Sequence, residues 1–106
     1  MNTSSRPPAF PTVQIDNPRV KVTEWRFAPG AETGWHRHAH DYVVVPLRDG
    51  TLLLETAAGE LRAELKAGQS YTRNEGVEHN VVNANAFEYV FVEIELKEPP
   101  AAPAGK

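Results

Sequence analysis

The sequence predicts an all-β domain, built as a sandwich or barrel, and three observations predict it. Short runs rich in Val, Leu, Ile, Thr and aromatic residues alternate with period two, the spacing of a half-buried strand. Turn signals containing Gly, Pro or Asn separate these runs at intervals of about eight to twelve residues. No stretch carries the apolar spacing of an amphipathic helix.

Residues 1–11, MNTSSRPPAFP, combine Pro7, Pro8 and Pro11 with small polar residues and are expected as a flexible arm. A single domain follows over residues 12–97. Val20 to Phe27 reads as a strand, with Trp25 and Phe27 on one face and Val22, Glu24 and Arg26 on the other. Pro29-Gly30 ends it. A histidine-bearing stretch comes next, then a strand from Tyr42 to Leu47. Asp49-Gly50 signals a hairpin, since both residues tolerate positive φ, and it pairs Thr51 to Thr56 back onto the preceding strand. Ala58-Gly59 turns the chain into Glu60 to Lys66, where apolar residues stand at 61, 63 and 65. Gly68 precedes a strand from Ser70 to Arg73, and Gly76 precedes one from Glu78 to Asn83. Phe87 to Leu96 is the longest run. The ending KEPPAAPAGK cannot pack, so residues 98–106 are expected as a mobile tail.

Composition narrows the function classes. A chain of 106 residues suits one domain with a modest core. It has no cysteine, which excludes disulfides and thiolate metal sites. A net charge of −3 gives no electrostatic reason to bind nucleic acid or an anionic membrane. No apolar run approaches the roughly 20 residues of a membrane span, and the N-terminus lacks the apolar core of a secretory signal. A soluble cytoplasmic protein is the expectation.

Chemistry concentrates in Gly30 to Gly50, GAETGWHRHAHDYVVVPLRDG. His36, His38 and His40 alternate there, and strand residues two apart share a face with Cα atoms roughly 7 Å apart. Two imidazoles so placed can converge on one metal ion, with bonds of about 2 Å. The remaining histidine, His79, lies in GQSYTRNEGVEHNVVN, from Gly68 to Asn83.

These two stretches resemble the paired motifs of the cupin family, G(X)5HXH(X)3–4E(X)6G and G(X)5PXG(X)2H(X)3N. Gly30, His36, His38 and Gly50 match the first, and Gly68, Gly76, His79 and Asn83 match the second. The text WRFAPGAETGWHRHAHDYVVVPL…GVEHNVVNAN further resembles the small single-domain cupins of beta-alanine degradation. The resemblance implies an antiparallel jelly-roll barrel (a double-stranded β-helix) with a metal inside it, and often a homodimer. Two departures stand out. Asn74 replaces the motif's proline, and no glutamate occupies the ligand position, where Tyr42 or Val43 stands instead. With Tyr42 in that place the interval to Gly50 is one residue longer than the motif's, and a bulge at Pro46 is expected to absorb the extra residue. Asp41 is the nearest carboxylate, at a spacing that does not fit.

The expected site is therefore His36, His38 and His79 around one divalent transition metal. Imidazole accepts Fe, Zn, Ni, Mn or Cu, with Fe(II) favoured because three-histidine cupins include dioxygenases of small acids, thiols and diketones. Three neutral ligands leave the ion its full charge, which favours an anionic chelating substrate in the open positions. Tyr42 has three possible roles: ligand as phenolate, hydrogen-bond donor to whatever the metal binds, or filler of the core. Tyr71, Arg73 and Arg26 are candidate substrate contacts, the arginines as carboxylate clamps, against the alternative of solvated strand charges. His40 has no ligand role by the motif. Trp25, Phe27 and Trp35 read as core or interface aromatics, and Asn83 as serving the backbone of its own turn. Glu93 and Glu95 share a face, solvated unless the barrel turns them inward to hold a histidine N–H. Three functions fit: an Fe(II) dioxygenase-type oxidoreductase, a non-catalytic small-ligand sensor, or a Zn or Mn isomerase or hydrolase.

Overall fold

Period-two alternation gives nine strands and no helix over residues 5–97, the residues that the computed structural model describes. They are β1 (Phe10–Asp16), β2 (Val20–Phe27), β3 (His36–Arg37), β4 (Asp41–Pro46), β5 (Gly50–Thr56), β6 (Gly59–Leu65), β7 (Tyr71–Arg73), β8 (Glu78–Asn83) and β9 (Tyr89–Leu96). A five-stranded sheet in the order β1-β2-β9-β4-β7 faces a four-stranded sheet in the order β3-β8-β5-β6. Every strand pair is antiparallel. This is the jelly-roll architecture that the motif resemblance implied.

Register fixes what points inward. Cross-strand partners share a face, so Val44 and Glu93 form one row of the five-stranded sheet with Thr23 and Tyr71. Tyr42, Glu95, Lys21 and Arg73 form the next row. Trp25 and Phe27 also point in, and the Phe27 and Phe91 rings meet at 5.4 Å between centroids. Leu52 and Val81 supply the opposite wall, and Phe27, Tyr89 and Leu52 are essentially inaccessible. The core packs between the sheets, and Tyr42 and Arg73 line a cavity beside it.

Three sequence expectations are corrected. β5 does not fold back on β4: β4 pairs with β9 and β7, while β5 pairs with β6 and β8. The Asp49-Gly50 step is a crossing between sheets, and Gly50 is not at positive φ. Its missing side chain serves close approach instead, since a Cβ there would lie 2.6 Å from the Tyr89 ring. Nor does Pro46 carry a bulge. β4 runs in unbroken register with β9 from Asp41 to Pro46, and the extra residue is taken up in the connection to β5.

The third correction concerns the arm. Pro7 and Ala9 exchange backbone hydrogen bonds with Glu32, at 3.0 and 2.7 Å, and Phe10 and Pro11 already belong to β1. The pairing donors and acceptors come from residues far along the chain, which local composition does not reveal. Residues 1–4 and the tail expected over 98–106 lie outside the described residues.

Candidate metal centre

The two closely spaced histidines of the HXH pattern sit at a break in a strand. Residues 30–37 run alongside β8, with backbone bonds from Thr33 N to Val81 O and from Asn83 N to Ala31 O. Between the Glu32–Val82 bridge and the His36–His79 pair the register slips by one residue. Gly34, at φ +89°, makes that slip possible. The bulge swings His36 toward His79, its direct cross-strand partner, and His38 follows past the end of β3.

The three imidazoles converge. His36 Nε2 lies 3.0 Å from His38 Nε2, which lies 3.1 Å from His79 Nε2. Hydrogen bonding explains why these nitrogens are ligand atoms. His36 Nδ1 sits 2.8 Å from the Gly34 carbonyl, an acceptor only, so Nδ1 carries the proton. His38 Nδ1 faces Glu93 Oε2 at 3.4 Å, and Trp25 Nε1 donates to Glu93 Oε1 at 2.9 Å. With the His38 proton on Nδ1, the side that faces Glu93, two Nε2 lone pairs meet across 3.0 Å. That arrangement is repulsive unless a cation lies between them.

The spacing also fits an ion. At a metal–nitrogen distance of about 2.1 Å, ligands at right angles stand about 3.0 Å apart and tetrahedral ones about 3.4 Å apart. The His36–His38 and His38–His79 separations each match a right-angle pair of ligands, and all three ligand atoms lie within 4.8 Å of one another. The donor set therefore fits a divalent transition ion with open positions. Among the described residues His36, His38 and His79 form the group that could hold one. His40 stands outside it. Asp41 is exposed and accepts the Glu75 N–H at 2.8 Å.

Burial, reinforced by His36 and by His79, holds His38 down to about 3, and burial with His36 and Arg73 holds His79 at about 4. Both stay neutral and ready to coordinate at neutral pH. Unfolded histidine titrates near 6.5, so below about pH 6.5 the unfolded chain takes up protons that the metal-free fold refuses. Stability present above that pH falls as pH drops toward 4, at up to about 1.4 kcal/mol per pH unit for each histidine. Denaturant titrations of chelator-treated protein at several pH values should show this slope, and it should shrink in His38→Gln.

The trio lines a cavity of about 210 Å³ between the sheets. Val44, Leu52, Leu54, Val81 and Phe91 make its apolar end, and Tyr71, Arg73 and Glu95 lie toward the mouth. Tyr42 stacks on His38, centroids 3.8 Å apart and planes 16° from parallel. Its hydroxyl is buried with no hydrogen-bond partner among the described residues, and burial, with Glu93, pushes its pKa well above the ordinary phenol value. Such a group is a neutral donor seeking an acceptor. Arg73 reaches over the Tyr71 ring at 4.6 Å and forms no ion pair with a carboxylate among the described residues.

Arg26 is corrected. It points out of the barrel, bonded to Glu88 and Glu24 at 2.8 and 3.3 Å, because its strand turns Trp25 and Phe27 inward. Glu93, by contrast, is turned inside and buried. Thr33 and Asn80 were not legible as site residues: each acts through a backbone kink that has no sequence signature beyond Gly34.

Comparison with known proteins agrees with the geometry. The Cupin domain family model matches residues 23–95. The Beta-alanine degradation protein BauB of Pseudomonas aeruginosa is 71% identical over 94 residues, covering 89% of this chain and 99% of that protein. The crystal structure of a cupin domain from Bordetella pertussis superposes with a TM-score of 0.88 at 66% identity, covering 91% of this chain and all of that one. A Klebsiella pneumoniae protein with a double-stranded β-helix domain, 22% identical, shares the fold with a TM-score of 0.71 over 89% of this chain and 81% of its own. Among the described residues no helix is long and apolar enough to cross a membrane.

Proposed function

The chain belongs to the cupin family, and from that premise we propose that it is a metal-dependent oxidoreductase of the Fe(II) dioxygenase type, acting on a small anionic metabolite. The convergence of the His36, His38 and His79 Nε2 atoms on one point carries this reading, since three neutral imidazoles so placed suit one divalent transition ion with open positions. Bound there, the ion supplies Lewis acidity and one-electron redox chemistry with dioxygen. The protein's own residues do the rest. Glu93 holds the His38 ring, Tyr42 donates its hydroxyl proton to an acceptor atom of the ligand, and the apolar wall excludes water. Arg73 and Tyr71 meet a carboxylate at the mouth. The cavity is below the size of drug-sized pockets, as a small metabolite requires. BauB is named for beta-alanine degradation, and a small carboxylate from such a route is the substrate class we assign.

Metal analysis and oxygen uptake with a panel of small acids, thiols and diketones test the proposal. Near-stoichiometric iron with substrate-dependent uptake is the expected result. A ligand that binds and is recovered unchanged overturns catalysis in favour of a sensor, and turnover with zinc or manganese without oxygen overturns the oxidoreductase class. Tyr42→Phe gives a second check. Removing an unpartnered buried hydroxyl should stabilise the ligand-free protein by about 1 kcal/mol, leave metal content unchanged, and lower kcat by about tenfold or more. Unchanged turnover would return Tyr42 to the role of core filler.

A homodimer belongs to the same reading. The outer face of the five-stranded sheet presents Val22, Val43, Val45, Val92 and Ile94 where a solvated sheet is polar. Beside it β1 is exposed along its whole length, with Phe10 and Ile15 bare. A second copy is the occupant we assign. Ile94→Lys should convert a dimer to monomer in sedimentation velocity, and a wild-type monomer excludes the assignment.

A further inference from the structure

A chain of polar contacts runs from the first described residues to the metal centre. Arg6 reaches Glu55 with both guanidinium nitrogens, at 3.1 and 3.0 Å, and Glu32 at 3.2 Å. The same two carboxylates accept from Asn80 Nδ2, at 2.8 Å for Glu32 and 2.9 Å for Glu55. Asn80 Oδ1 in turn accepts the Gly34 N–H at 2.9 Å and lies 3.4 Å from Thr33 Oγ1. Gly34 O is the acceptor that fixes the His36 ring, and Thr33 Oγ1 stands 3.3 Å from the same Nδ1.

The arrangement has a physical logic. At the Gly34 bulge the backbone cannot pair with β8, and the buried Asn80 side chain takes the orphaned N–H instead. To aim its oxygen there, Asn80 must turn its amide nitrogen outward, where two carboxylates receive it. Two like charges sharing one donor repel, and a planar cationic fork that grips both removes the repulsion. The Arg6 hydrogen bond, with that of Asn80, holds the Glu55 carboxyl below its ordinary range. Pro7 and Ala9 clasp the Glu32 backbone from the same segment.

We infer that Arg6 is a positioning residue for the metal centre: it locks Glu32 and Glu55 onto Asn80, and Asn80 holds the Gly34 kink that orients His36. The inference rests on reading the trio as a metal site. It assigns the N-terminal segment a role in the site that its composition conceals.

The test compares wild type, Arg6→Ala and Arg6→Lys, with Glu55→Gln as an independent break. In metal-free protein, with every variant at the same pH, Gly34 amide exchange and the His36 tautomer are read by NMR. Co(II) affinity and its visible spectrum are read separately. Arg6→Ala should speed Gly34 exchange and mix the His36 tautomers. It should also weaken Co(II) binding by about tenfold with an altered spectrum, the low end of outer-shell effects. Arg6→Lys should restore part of each and Glu55→Gln should reproduce the loss, with the exchange of β2 and β9 amides unmoved in every variant. Normal Co(II) binding with unchanged Gly34 and His36 signals in Arg6→Ala overturns the relay and leaves the metal site standing. Responsive Gly34 and His36 signals with no Co(II) bound by wild type overturn the metal reading and leave the relay standing.

Discussion

His79→Ala is expected to empty the metal centre while leaving the fold in place. The side chain is buried and supplies one of three nitrogens, and no carboxylate stands at the missing glutamate's position to compensate. Four-ligand zinc sites bind with about 10–16 kcal/mol, so one ligand is worth about 3–4 kcal/mol, and losing it should weaken affinity by about 10²–10³-fold. Isothermal titration of chelator-stripped protein with Fe(II), under anaerobic conditions, or with Co(II) reads this directly. His36→Ala and His38→Ala should behave alike. His40→Ala is the control, because that ring lies outside the trio, and its affinity should be unchanged. A His79→Ala protein that keeps wild-type affinity would sink the site. An unchanged circular dichroism spectrum separates loss of ligand from loss of structure.

Asn83→Ala should produce the largest loss of stability. This asparagine closes the second motif and is 2% exposed. Its Nδ2 hydrogens are shared among the carbonyls of Phe27, Ala28 and Phe87, at 3.2, 3.2 and 2.8 Å. Its Oδ1 accepts from the Asn85 backbone and side chain at 2.9 and 2.7 Å. It thereby ties the end of β2 to the connection between β8 and β9. Alanine leaves several buried groups unpaired at about 1–3 kcal/mol each, partly relieved by relaxation, for a net loss of about 3–5 kcal/mol. In a domain of this size each kcal/mol moves Tm by about 4–8 °C, so a drop of tens of degrees is expected in calorimetry. A drop of only a few degrees would show that water replaces the side chain at this junction.

Asn83 also marks where local reading stopped. Its sequence context placed it in service of its own turn, and it does bond to Asn85, but two of its carbonyl partners lie more than fifty residues earlier in the chain. Most of the strands were legible, β1 and β3 excepted, and β2 and β8 fall where the alternation put them. Alternation is a property of the backbone and needs only local residues. Pairing is not: Asp49-Gly50 carries a hairpin signal, yet β4 and β5 part to opposite sheets and pair with β9 and β8, strands far along the chain that local residues do not announce.

The amino-acid sequence by itself determined seven of the nine strands (all but β1 and β3), the side chains that share each of their faces, and the three histidines at motif spacing. Those depend on period two and on residues a few positions apart. Only the tertiary structure decided which face of each strand is the inside. Glu93 goes in and Arg26 stays out although both are charged strand residues, since the inner face follows from sheet packing. The structure alone also brought Arg6, Glu32, Glu55 and Asn80 together behind His36. Charged side chains carry no periodic signal of their distant partners, and their meeting is set by the folded sheets that deliver them.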